Sequence, residues 1–229
     1  MIKIKLFIRK VIGLYKIWNN KNISRKSFIA NNVQFLGIDN IEVGANSTIG
    51  ESTTFTVNKR DDKKVRLKIG ENTYIGRNNF FTVGKYLEVG PYCIFGNNCS
   101  FICSDHVFDS PLIPYALSGF TSGKTLKVGA NCWIGMNVTV VGNVTIGHGS
   151  IIGANSVILK DIPPFSLIIG NPSKIIKRFD FQLKKWINVV DIDTNYDYVT
   201  EEEYIKILEK KYDNLPLSYY SSSSQFGSI

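Results

Sequence analysis

Histidine is scarce in this sequence: 229 residues hold only His106 and His148. That excludes a metal centre built on three imidazoles. Cysteine is nearly as sparse. Cys93, Cys99, Cys103 and Cys132 follow no zinc-ligand spacing, and Cys93, Cys99 and Cys132 read as packing residues in a reducing cytoplasm. No apolar run approaches the roughly 18 residues of a membrane-spanning helix. The N-terminal segment MIKIKLFIRKVIGLYKIW has no clean apolar core and no small-residue cleavage site, so it does not read as a signal peptide. Helix-turn-helix and finger spacings are missing too. Acidic residues are outnumbered, 19 against 27 basic ones, for a net charge of +8. This excess calls for an anionic partner, and without a nucleic-acid motif a phosphate-bearing cofactor fits better than DNA or RNA. A content of 44% hydrophobic and 20% charged residues is that of a soluble globular chain.

What the sequence does contain is a repeat. From Val128 to Pro163 it reads VGANCW, IGMNVT, VVGNVT, IGHGSI, IGANSV, ILKDIP. Each hexad opens on Val or Ile, usually followed by Gly. Asn or Gly stands fourth in the first five hexads, and a small or β-branched residue stands fifth. Three hexads make 18 residues, so Val128 returns at Ile146, Ile134 at Ile152 and Val140 at Ile158. Short extended segments joined by sharp corners, three to a turn, form a triangular coil whose turns pair as parallel strands about 4.8 Å apart. The aliphatic residues face inward. The corners need a residue that tolerates a left-handed backbone, which accounts for Asn46, Asn72, Asn78, Asn98, Asn131, Asn137, Asn143, Gly149 and Asn155. Cys93, Cys99 and Cys132 occupy fifth positions, where the coil wants a small side chain.

Upstream the repeat continues less regularly from Val43, broken by two insertions. The first, about 58–68, is highly charged and reads as a solvated loop or hairpin. The second, about 104–124, contains two Pro and two Gly. So long an excursion from a rigid solenoid reads as functional. Three regions follow: an N-terminal helical cap over 1–30, the coil over 31–170, and a basic exit with a helical tail over 171–229. A basic amphipathic helix on a membrane surface is the other reading of the N-terminus. In the tail, EEEYIKILEKKY (201–212) reads as a helix.

The hexads resemble those of the hexapeptide-repeat acyltransferases, strongly over 125–179. The resemblance implies an all-β solenoid, a left-handed parallel β-helix. Period alone leaves the hand open. It also implies an acetyl-CoA-dependent O-acetyltransferase acting on a sugar hydroxyl of a saccharide acceptor, assembled as a homotrimer with sites between subunits. His106, where the coil gives way to the second insertion, matches the family's general base, and Asp105 is a candidate to orient it. His148, third in a regular hexad, reads as an exposed corner residue without a catalytic role. Asn79 breaks the small-residue rule at its fifth position. It resembles an acceptor-holding Asn, while the other reading is a core Asn satisfied by backbone.

The stretch CWIG, then IGANSVILKDIPPFSLIIGNPSKIIKRF, resembles the family's acetyl-CoA segment. By that likeness Trp133, Gly135, Gly153 and Ala154 form a ledge for the pantetheine arm. Lys160, Lys174, Lys177 and Arg178 supply cations for the phosphates. An N-acetyltransferase of an amino sugar nucleotide would use the same ledge. A non-catalytic solenoid scaffold would need neither His106 in a loop nor the basic exit. A zinc hydratase on this coil lacks its histidines.

Overall fold

The structure, a computed structural model, describes residues 17, 19–189 and 199–212. Strands follow one another in threes. The first coil comprises β1 (Phe28–Ile29), β2 (Gln34–Leu36) and β3 (Ile41–Val43), and the second β4 (Thr48–Ile49), β5 (Thr54–Val57) and β6 (Leu67–Ile69). The third holds β7 (Tyr74–Ile75), β8 (Phe80–Val83) and β9 (Tyr86–Val89), and the fourth β10 (Ile94–Phe95), β11 (Ser100–Ile102) and β12 (Thr125–Val128). The fifth is β13 (Trp133–Ile134), β14 (Thr139–Val141) and β15 (Val144–Ile146). The sixth is β16 (Ile151–Ile152) and β17 (Val157–Ile158), closed by a parallel bridge from Ile162 to Ile146. Strands of like position stack into three faces of a left-handed parallel β-helix. The pairings Leu126 with Val144 and Ile134 with Ile152 set the 18-residue turn of the regular coils.

Inward residues form one continuous hydrophobic core along the prism. Phe35, Phe55, Phe81 and Phe101 occupy one slot on the second face in successive coils and stack with centroids 5.4, 5.0 and 4.9 Å apart. Each such contact contributes about 0.5–1.5 kcal/mol beyond simple burial. Fifth-position side chains form a second ladder along the corners. Ser47 Oγ donates to Gly70 O at 2.8 Å, Thr73 Oγ1 to Gly90 O at 3.1 Å, and Cys93 Sγ to Gly129 O at 3.1 Å. All four cysteines are buried free thiols. Burial pushes the Cys99 and Cys103 thiols above the usual range.

Two of the three prism edges carry the left-handed corners. Asn46, Asn72, Asn131 and Gly149 turn from the third face to the first, and Asn78, Asn98, Asn137 and Asn155 from the first to the second. Asn143 departs from expectation. Gly142 takes the positive φ, +98°, and the Asn143 carboxamide oxygen instead accepts from Thr125 N at 2.9 Å and Thr125 Oγ1 at 2.8 Å. The reason is that the second-to-third edge follows no Asn-corner rule. Both insertions leave from it, 58–66 between β5 and β6 and 103–124 between β11 and β12. They meet at their roots, where Asn58 Nδ2 donates to Ser104 Oγ at 2.8 Å.

The coil begins earlier than residue 31, since Ile23 already bridges Val43 and β1 pairs with β4. Most of the expected N-terminal helical cap lies outside the described residues. The basic exit is not helical. β18 (Ser166–Ile169) closes the first face, and β19 (Lys174–Asp180) and β20 (Lys185–Asn188) add to it antiparallel. Gly170, with φ of +100°, and a cis Asn171–Pro172 bond make the reversal.

A separate unit holds α1 (Glu201–Tyr212). Thr200 and Glu203 form its capping box: Glu203 N donates to Thr200 Oγ1 at 3.3 Å and Thr200 N to Glu203 Oε2 at 3.0 Å.

Candidate active site

The second insertion leaves the fourth coil as a narrow antiparallel stem. Thr121 N donates to Asp105 O at 2.7 Å, and Val107 N to Gly119 O at 3.1 Å. Ser104, buried at the root, donates through Oγ to Thr121 O at 2.9 Å. His106 sits in this stem, bridged to Phe120, with ring centroids 4.5 Å apart. Its side chain is exposed and, among the described residues, has no hydrogen-bond partner. The stem thus fixes the backbone of His106 and leaves its side chain exposed.

Asp105 does not orient that ring. Its carboxylate pairs with Lys124 Nζ at 2.6 Å, across the mouth of the insertion. Strand-like alternation explains this, because neighbouring residues on the stem point to opposite sides. The pair is about one-third exposed, so it contributes at most about 1 kcal/mol.

The ledge residues come together on the first face. Trp133 pairs with Ile151 across the fifth and sixth coils, which aligns Gly135 with Gly153. Trp133 projects outward, 55% exposed, and is not core. Ala154 is exposed beside Gly135. Lys174 pairs with Ile169 at the end of β18, next to Gly153, and is exposed. The glycines have a structural reason of their own. A Cβ on Gly135 would lie 2.6 Å from Ala154 N, and one on Gly153 would lie 2.7 Å from Ile169 Cγ2. Gly44, far down the coil, meets the same constraint, with Glu71 N at 2.5 Å. Glycine at this position therefore serves coil stacking first.

Not every expected cation joins the ledge. Lys177 is half-buried on β19. Arg178 donates through its guanidinium to Pro164 O at 3.0 Å, holding the exit hairpin to the coil. Lys160 is exposed between β17 and the Ile162 bridge, on the edge that carries the insertions. Asn79 is corrected more sharply, being 1% exposed. Its Nδ2 donates to Gly76 O at 2.8 Å and Gly96 O at 3.1 Å, and its Oδ1 accepts from Cys99 N at 2.7 Å. It is a rung of the corner ladder and presents no polar atom to an acceptor.

The family model described as bacterial transferase hexapeptide (six repeats) matches residues 126–160, from β12 through β17. This chain carries the hexapeptide repeat of the bacterial transferases. A protein of Staphylococcus aureus (strain COL) named as an acetyltransferase is 48% identical over 65 residues, 28% of this chain and 33% of its own. The chloramphenicol acetyltransferase of Klebsiella aerogenes is 32% identical over 107 residues, 40% of this chain and 51% of its own. The chain thus spans about a third to a half of the length of these curated relatives.

Two solved structures share the fold of the hexapeptide-repeat chain. VCA0836 of Vibrio cholerae, a hexapeptide-repeat-containing acetyltransferase solved with acetyl coenzyme A, gives a TM-score of 0.52 over 60% of this chain and 70% of its own, at 26% identity. AntD of Bacillus cereus, an N-acyltransferase solved with dTDP-4-amino-4,6-dideoxyglucose and coenzyme A, gives 0.64 over 89% of this chain and 97% of its own. At 14% identity AntD is a likeness of fold alone.

The other histidine of the hexapeptide-repeat chain is not at an exposed corner. His148 is 6% exposed and meets the edge of Phe165 at 4.8 Å. Phe165, in a left-handed conformation at φ of +55°, starts the hairpin that folds over it. Sequence reading also missed Phe120, Lys124 and the Asn58–Ser104 clamp. They lie in aperiodic insertions, where no spacing announces a partner.

Proposed function

We propose that the chain is an acetyl-CoA-dependent O-acetyltransferase acting on a sugar hydroxyl, with His106 as general base. The observation that carries this reading is His106 itself: an exposed imidazole with no hydrogen-bond partner among the described residues, held at a fixed place on a hexapeptide-repeat coil. Neutral imidazole removes the hydroxyl proton while the oxygen attacks the thioester carbonyl, and the imidazolium returns the proton to the departing thiolate. A backbone amide stabilises the oxyanion. Trp133, Ala154 and Lys174 line one strip of the first face, where an extended pantetheine arm runs toward its phosphates. Acetyl coenzyme A in the complex of VCA0836 supports this choice of donor.

His106 and the ledge belong to different edges of one prism. The imidazole rises from the second-to-third edge, and Gly135 and Gly153 lie where the first face turns to the second. Transfer therefore brings the imidazole of one subunit to the ledge of the next, in a homotrimer. Phe108, Leu112 and Leu117, 69, 91 and 78% exposed on the insertion, supply apolar surface for that neighbour to cover. Active monomers in sedimentation would overturn the trimer.

The deciding experiment follows free coenzyme A release across a panel of sugars and amino sugars. His106→Ala should lower turnover about 100-fold or more while leaving acetyl-CoA binding nearly unchanged. A fully active variant sinks the assignment. An N-acetyltransferase of an amino sugar nucleotide is the second reading, favoured by the nucleotide-sugar complex of AntD. An amide product, stable to hydroxylamine, would decide for it. A scaffold would gain no thermal stability from acetyl-CoA, whereas a ligand at 100 times its Kd adds about 2.7 kcal/mol.

A further inference from the structure

The net charge of this chain is not spread over it. Residues 1–38 contain eight Lys and Arg and no Asp or Glu, so they carry the whole excess of +8. The remaining residues balance, with 19 cations against 19 anions. The cofactor ledge thus accounts for none of the imbalance. Between the early cations stand Ile2, Ile4, Leu6, Phe7 and Ile8, so basic and apolar residues are interleaved.

The described part of this region has the same character. Lys21, Arg25 and Lys26 are exposed beside the first coil, and Phe28 and Leu36 face outward at 55 and 47% exposure. The first insertion adds to that end. Asn40, buried in the first coil, donates to Asp62 O at 2.6 Å and Lys64 O at 2.9 Å, tying the loop down. Asp62 is occupied by Arg66 at 2.9 Å, while Arg60, Lys63 and Lys64 stay exposed. A cavity of about 540 Å³ opens there, lined by Val33, Phe35 and Ile38 and by charges of both signs, Arg60 and Lys63 beside Asp39, Asp61 and Asp62, so the cationic surface lies outside it, on Lys21, Arg25, Lys26 and Lys64.

We propose that the first-coil end of the prism docks on an anionic phospholipid surface. Cations alone would suit a nucleic acid equally. Phe28 and Leu36, exposed among Lys21, Arg25 and Lys26, favour a bilayer, where they enter the interface while Lys and Arg meet the headgroups. The proposal is independent of the catalytic reading, because no residue of the His106 stem or the ledge takes part.

The test is co-sedimentation of the full chain with vesicles of phosphatidylcholine, with and without phosphatidylglycerol. Binding should require phosphatidylglycerol and fall as salt is raised. Near such a surface each cation is worth about fivefold in partitioning, so Arg25→Gln/Lys26→Gln should weaken binding about 25-fold. Lys184→Gln/Lys185→Gln, the same charge change at the far end of the coil, should leave it unchanged. Unchanged melting curves establish that both variants fold, and the salt titration of the unaltered chain stands as a second measurement. Equal binding to neutral vesicles, no binding at all, equal losses in both variants, or tighter retention on single-stranded DNA than on the anionic vesicles would each overturn the proposal.

Discussion

Replacing Asn79 by Ala separates two roles that the sequence leaves open. In the structure the carboxamide is 1% exposed and makes three hydrogen bonds to backbone. Gly76 O keeps a second donor, Thr53 Oγ1, at 3.2 Å. Cys99 N–H, which donates to Asn79 Oδ1 at 2.7 Å, loses its acceptor. An orphaned buried donor costs about 1–3 kcal/mol, and the vacated volume adds to that. The expected loss is about 2–4 kcal/mol. At about 2–4 °C per kcal/mol for a chain of this size, Tm should fall by about 5–15 °C.

Asn79→Thr should recover much of the loss, because Thr53 one coil below already donates to Gly76 O and accepts Asn79 N–H at 3.4 Å. The assay pairs a thermal melt with the acceptor KM measured well below the melting range. The KM should not move. An Ala variant with unchanged Tm and a raised acceptor KM would refute the ladder and place Asn79 in the acceptor site.

Lys174→Gln should raise the KM for acetyl-CoA more than it lowers kcat, since phosphate contacts are remote from the reacting carbon and hold ground and transition states alike. One charge-assisted contact of about 1.5 kcal/mol would give about tenfold, and solvent screening brings the expected change to roughly threefold. His148→Ala should leave kcat intact but cost about 1–2 kcal/mol, read as a lower Tm, because the ring is buried against Phe165. The four buried thiols should resist alkylation at pH 8 in the folded chain and react on unfolding, since burial keeps Cys99 and Cys103 protonated at that pH. Rapid labelling of the native chain would contradict their ladder role.

By itself the sequence determined whatever repeats or acts locally. A hexad fixes which residues face inward, because period follows from backbone geometry, so the 18-residue coil, the aliphatic core and the Asn corners on two edges were legible. Thr200 and Glu203 mark the start of α1 by a contact three residues long. His106 was legible as the histidine at the point where the repeat stops. The tertiary structure alone decided what depends on the neighbouring coil or the folded exit. Asn79 reads as an exception until Gly96 O and Cys99 N appear one coil away. Asp105 could be matched to Lys124, and Arg178 to Pro164, only once an insertion and a hairpin had returned the chain to the coil. His148 looks like an exposed corner in its own hexad, and it is buried because Phe165, 17 positions later, folds over it. Period specifies a residue's direction; its partners are set by where distant segments come back.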